Sequence, residues 1–154
     1  MNYKVLFFLT FLCLSNFTFS QNHSIARKWN EVLLQSIRND LARPTVHARN
    51  LFHISAAMYD AWAIFDYKSD TYFINKENHG VYIPYTKTRF PGDIKKNQEE
   101  AISYAAYRIL IHRYEISPGY KKSKVIIDSL FEKLGYDKNF KSLDYQKGSS
   151  AALG

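Results

Sequence analysis

Arg49, His53, Ala56 and Asp60 recur at intervals of three and four residues. On a helix that spacing brings them into one narrow arc. A guanidinium, an imidazole and a carboxylate in a row are what a pocket would need. Two other arrangements satisfy the same spacing: a row that touches solvent, or a buried network in which Arg49 and Asp60 each pair with another helix. The structural arrangements are the expectation, because buried charges are usually held by partners. Arg49 and Asp60 lie about 16 Å apart along a helix axis, so they do not pair with each other.

Other chemistry finds few residues to carry it. A metal site needs convergent His, Asp or Glu ligands, and the candidates are His53, Asp60 and His112. None of them belongs to a spacing such as H-E-x-x-H, and no metal site is expected. There is no G-x-S-x-G for a nucleophilic serine and no glycine-rich loop for a phosphate. The adjacent carboxylates Glu99 and Glu100 are read as charges placed near a helix start, where the helix dipole favours them. The residues therefore assign no catalytic, cofactor-binding or metal-binding role to any position.

The polar row sits in a long apolar stretch, Pro44 to Phe65. Pro44 suits a first helical turn, where its missing N–H costs nothing. From Val46 to Phe65 there is neither Pro nor Gly, and apolar residues (Val46, Leu51, Phe52, Ile54, Met58, Tyr59, Trp62, Phe65) occur on nearly every side, with alanines between. A helix apolar all round is a buried one. The expected fold is an all-α bundle of about four helices around this Ala-rich central helix, with one long aromatic loop.

The other elements follow from caps and periodicity. Ser24 is a possible N-cap for a helix over 24–41 whose stripe is Ile25, Trp29, Val32, Leu33, Ile37 and Leu41. Asp40 to Arg43 is a short link, so this helix and the central one are expected to form a helical hairpin. Helical periodicity is lost from Asp66 to Asp93, a segment of aromatics and turn formers in which Val81 to Tyr85 reads as a short extended piece. Loops this long are often functional. The choice is between a loop pinned on the bundle by its tyrosines and a lid over a substrate, and pinning is expected. Asp93 caps a third helix ending near Tyr114, with Arg108, His112 and Arg113 close to that end. Ser117-Pro118-Gly119 breaks the chain. A fourth helix runs from about Tyr120 to Leu134, with Val125, Ile126, Ile127, Leu130, Phe131 and Leu134 inward and Gly135 beyond its end.

Residues 1–20 read as a signal peptide: Lys4, an apolar run from Val5 to Leu14, then small and polar residues to Ser20. The run is short for a membrane span. Export to the periplasm or the exterior is expected. Cleavage removes Cys13, the only cysteine, and Lys4, so the charge of +7 becomes +6. About 134 residues then remain, enough for one domain. The basic residues are scattered, which predicts a solvated basic face and no nucleic-acid partner. No later segment is apolar for long enough to cross a membrane.

The order of segments resembles a known family. An amphipathic helix with Trp29 and Ile37, then Pro44, then Ala48-Arg49, then Ala57-Met58-Tyr59-Asp60-Ala61 is similar to the N-terminal helical region of bacterial vanadium-dependent haloperoxidase-like proteins. Those belong to the type 2 phosphatidic acid phosphatase superfamily. Gly148 to Gly154 resembles the stretch where such proteins begin their next core helix. The resemblance spans about residues 25–154.

The family binds vanadate or phosphate through K-x6-R-P, P-S-G-H and S-R-x5-H segments. Here the only Arg-Pro is Arg43-Pro44, preceded at the lysine position by Ser36. Ser117-Pro118-Gly119-Tyr120 lacks the His, and Ser-Arg does not occur. The resemblance implies that residues 21–154 are an N-terminal scaffold, cut off before the catalytic motifs and inactive alone, with vanadate expected only in a full-length haloperoxidase parent. Its partners would be the missing C-terminal catalytic helices, or a second copy by self-association. The competing expectation is a complete, non-enzymatic exported helical module that binds a protein partner.

Overall fold

A computed structural model describes residues 23–86 and 92–136. The proposed signal peptide and the segment from Lys147 to Gly154 lie outside the described residues. Among these residues four helices form, with one two-stranded sheet: α1 (Ile25–Asn39), α2 (Pro44–Ala63), β1 (Glu77–Asn78), β2 (Val81–Tyr82), α3 (Ile94–Tyr114) and α4 (Tyr120–Lys133). The protein is the all-α bundle expected. No described helix is long and apolar enough to cross a membrane.

The helix starts are fixed by local chemistry. Ser24 Oγ accepts the Arg27 N–H at 3.3 Å, and Asp93 Oδ1 accepts from Lys95 N at 2.9 Å and Lys96 N at 3.4 Å. Both satisfy donors that a helix start leaves orphaned. Pro44 occupies the first turn of α2. Glu99 and Glu100 fall in the second turn of α3, whose first turn carries no acidic residue. The dipole's pull fades beyond the first turn, so Asp93 serves that role and the expectation for the glutamates is corrected. Gly135 ends α4 with φ 77°, and its N–H reaches Glu132 O at 2.9 Å.

Packing departs from the expected hairpin. α1 meets α2 at few points and lies instead against α3 and α4, while α2 packs mainly on α3. Among the described helices α3 packs substantially on each of the other three, and its run from Ala101 to Ala106 is buried without a break. Small residues there let α1, α2 and α4 approach closely. Trp29, wholly buried, ties α1 to this run by donating from Nε1 to Ser103 Oγ at 3.0 Å. Phe131 of α4 sits between Trp29 and Tyr104, with ring centroids at 6.3 and 5.2 Å.

α2 is enclosed only over its second half, where Ala56, Ala57, Met58, Asp60 and Ala61 are buried. Along its first half Ala48, Arg49, Leu51 and Phe52 face outward. The helix apolar on every side is thus covered only where α3 and the loop at 71–74 meet it, and Ser55 and Tyr59 stay exposed even in its second half. In α4 the buried positions are Ser123, Ile127 and Phe131. Val125 lies on the opposite face and is 68% exposed, against the inward position expected. Leu41, beyond the end of α1, is exposed as well.

One contact between distant segments requires glycine. The turn before α4 presses on the end of α1 so closely that a Cβ at Gly119 would stand 1.9 Å from Asn39 O. Asn39 Nδ2 donates to Ser123 Oγ at 3.3 Å beside it.

Candidate functional site

The polar row on α2 divides into two ends with different tasks. At the buried end, Asp60 is 1% exposed. Its carboxylate accepts three successive backbone N–H groups: from Tyr72, from Phe73 at 2.8 Å and from Ile74 at 3.2 Å. Successive N–H groups that converge make a concave anion site, and here the anion is the protein's own side chain. Asp60 therefore pairs with the loop backbone and not with another described helix.

The same carboxylate anchors the loop that follows α2. Ile74, 1% exposed, enters the core beside it. Asn75, at φ 59°, binds Tyr85 in both directions: Nδ2 donates to Tyr85 O at 2.5 Å, and Oδ1 accepts Tyr85 N–H at 2.6 Å. Between them the chain makes a hairpin in which Glu77 pairs with Tyr82 and Asn78 with Val81. Its two-residue turn, His79 (φ 49°) and Gly80 (φ 82°), has positive φ at both positions, the twist that tight hairpins favour. The extended piece at Val81 is present. The expected pinning is present too, chiefly through Asp60 and Asn75; of the loop's own tyrosines Tyr85 packs against the core, while Tyr67, Tyr72 and Tyr82 are exposed. The Tyr59 hydroxyl, from α2, also binds the loop, donating to Asp70 O at 2.9 Å.

At the open end, α3 runs antiparallel to α2 and brings Arg113 to His53, Nη2 to Nδ1 at 2.5 Å. A guanidinium only donates, so Nδ1 is the acceptor and the neutral ring carries its proton on Nε2. Burial lowers the His53 pKa, and the charges of Arg113 and Arg49 push it the same way. Arg49 itself is exposed. Among the described residues, neither Arg49 nor Arg113 pairs with a carboxylate, and Nε2 of His53 has no partner. The ring of Phe52 lies 5.7 Å from that of His53 and 5.7 Å from that of Tyr72.

The third metal candidate is elsewhere. His112 is exposed on α3, 3.5 Å from a Glu115 carboxylate oxygen. His53, Asp60 and His112 do not converge, and no group of three potential ligands occurs among the described residues. Arg113 was outside the row read from sequence. Its position near the end of α3 is visible there, but its partner depends on how α3 pairs with α2.

A second concave feature is an open groove of ≈ 460 Å³ between the start of α1, the second half of α2 and the first half of α3. Its walls are apolar (Ile25, Met58, Trp62, Ile102), with Lys95 and Glu99 at the rim. No protein-family model matches the sequence, and neither a curated protein nor a solved structure gives a match.

Proposed function

We propose that this protein is the helical N-terminal scaffold of an exported vanadium-dependent haloperoxidase-like or type 2 phosphatidic acid phosphatase-like protein, with no catalytic turnover of its own. The reading rests on the sequence resemblance. The observation that supports it is the uncovered first half of α2, where Leu51 and Phe52 are 39% and 47% exposed. In this reading that face is packing surface for catalytic helices, and vanadate belongs to the parent's catalytic part. The buried carboxylate on the same helix fits a scaffold, since its bonding capacity goes to holding a loop.

Two measurements test the proposal. The coding region beyond Gly154 is expected to carry R-P, P-S-G-H and S-R-x5-H in that order. Purified protein ending at Gly154 is expected to show no bromide oxidation with vanadate and peroxide, and no phosphatase turnover. Vanadate-dependent halide turnover by that protein would overturn the proposal. A second reading, a non-enzymatic exported module that binds a protein partner, is favoured by the apolar groove. A stop codon directly after Gly154, together with a compact monomer that unfolds in one sharp cooperative transition, would favour it.

A further inference from the structure

His53 bonds to Arg113 and lies one helical turn from Arg49, and neither guanidinium pairs with a carboxylate among the described residues, an unbalanced arrangement. Nearby like charges repel, and folded proteins usually interleave acidic groups among them. Ion pairs of that kind join Arg43 to Asp40 and Lys124 to Asp128. Neither Arg49 nor Arg113 has one among the described residues, and both sit where α2 is uncovered. The Arg113–His53 bond adds a directional element. Because Nδ1 accepts from Arg113, the imidazole offers a single donor, Nε2–H, on its other side. The ring is held neutral by burial and by both arginines, so it contributes a hydrogen bond and no further charge. Beside these donors stands Phe52, half exposed, in edge contact with Tyr72 and Phe73 at centroid distances of 5.7 and 6.1 Å.

We propose that Arg49, His53, Arg113 and Phe52 form a binding site for an organic anion, a carboxylate or phosphate head carried on an apolar or aromatic body. The guanidinium groups take the anionic oxygens, for which their planar donors are suited. Nε2–H of His53 supplies one further donor, and the face of Phe52 receives the body. The site draws only on side chains of this chain, and it shares Phe52 with the face that the scaffold reading gives to catalytic helices, so it is tested on this protein alone. It differs also from the Asp60 turn, whose donors are already occupied.

Titration of the protein produced from the full chain, followed by the His53 ring resonances in NMR, tests the site. The probes are phenylacetate and phenyl phosphate, with acetate and inorganic phosphate as bare heads. A saturable shift of the His53 Cε1–H signal is expected with at least one aromatic probe, at lower concentration than with its bare head. The stronger of the two aromatic probes identifies the head. Arg49 is exposed, so Arg49→Glu leaves the bundle intact by circular dichroism and weakens binding by about tenfold or more. Arg113→Lys keeps the charge but loses the planar fork, and is expected to weaken it as well. Absence of any saturable shift at millimolar probe, or unchanged affinity in Arg49→Glu, overturns the site. Equal affinity for phenyl phosphate and inorganic phosphate, with phenylacetate no better than acetate, overturns the assignment of an apolar body at Phe52.

Discussion

The hydroxyl of Ser117 donates to Asp40 Oδ1 at 2.8 Å across 77 residues of chain. This bond joins the end of α1 to the turn before α4, and Arg43 completes it from the other side at 2.9 Å. Burial raises the Asp40 pKa, but the Ser117 hydroxyl, the Arg43 guanidinium and the Leu41 N–H outweigh it and leave the carboxyl below its ordinary value of 3.8. A carboxyl depressed in the folded state contributes stability above its unfolded pKa and loses it as pH falls through the folded one.

Ser117→Ala is accordingly expected to cost about 1.5–3 kcal/mol near neutral pH, the range for a hydrogen bond to a charged group. The cost shrinks once Asp40 is protonated in both forms, at pH values well under 3.8. Denaturant unfolding of both proteins over an acidic pH series checks it. A difference that stayed constant through the acid range would show that the charged form of Asp40 is not what Ser117 stabilises.

Gly119→Ala tests the close approach itself. The new methyl would meet backbone at 1.9 Å, so either α1 or the turn must move. Overpacking of this kind costs roughly 1–3 kcal/mol, sometimes more. Gly135→Ala is the control: it is strained by φ 77° but has open space around it, with an expected cost of about 1–2 kcal/mol from conformation alone. Gly119→Ala is expected to be the worse of the two in denaturant midpoint, and to weaken protection of the amide protons at the end of α1.

Asp60→Asn addresses the loop anchor. The amide keeps one acceptor oxygen but turns an NH2 toward backbone donors that then lack a partner. A loss of about 1.5–3 kcal/mol is expected, by the same scale for charged hydrogen bonds. The more specific readout is local: limited proteolysis should begin within residues 66–86 while the helices persist. Uniform loss of the whole bundle, with no prior cleavage of that segment, would contradict its role as an anchor for the loop.

The elements were legible in the sequence because their ends carry local signals. Ser24, Pro44, Asp93 and Gly135 each act through the backbone within three residues, so the sequence contains the whole interaction. Burial within a helix was partly legible. Ser123, Ile127 and Phe131 repeat every four residues and mark the inner face of α4, whereas the adjacent apolar residues Val125 and Ile126 obscure it. Partnerships between elements were not legible. Asp60 is held by three peptide N–H groups, which have no side-chain identity to read. Arg113 reaches His53 only because α2 turns back along α3, and no motif encodes that pairing. Exposure of the first half of α2 has the same origin, since the pattern shows an apolar surface without showing which neighbour covers it.

The bond between Trp29 and Ser103 spans 74 residues, and that separation sets a clock. α1 is the first described helix made, yet it finds little surface on α2 and is closed only by α3 and α4. At a synthesis rate of roughly 5–20 residues per second, the interval between Trp29 and Ser103 is about 4–15 s. Helix formation and local collapse take microseconds. For almost all of that interval the stripe of Trp29, Val32 and Leu33 is synthesised but has no docking surface. Until then it is an apolar stripe without cover, closed only when α3 and then α4 appear.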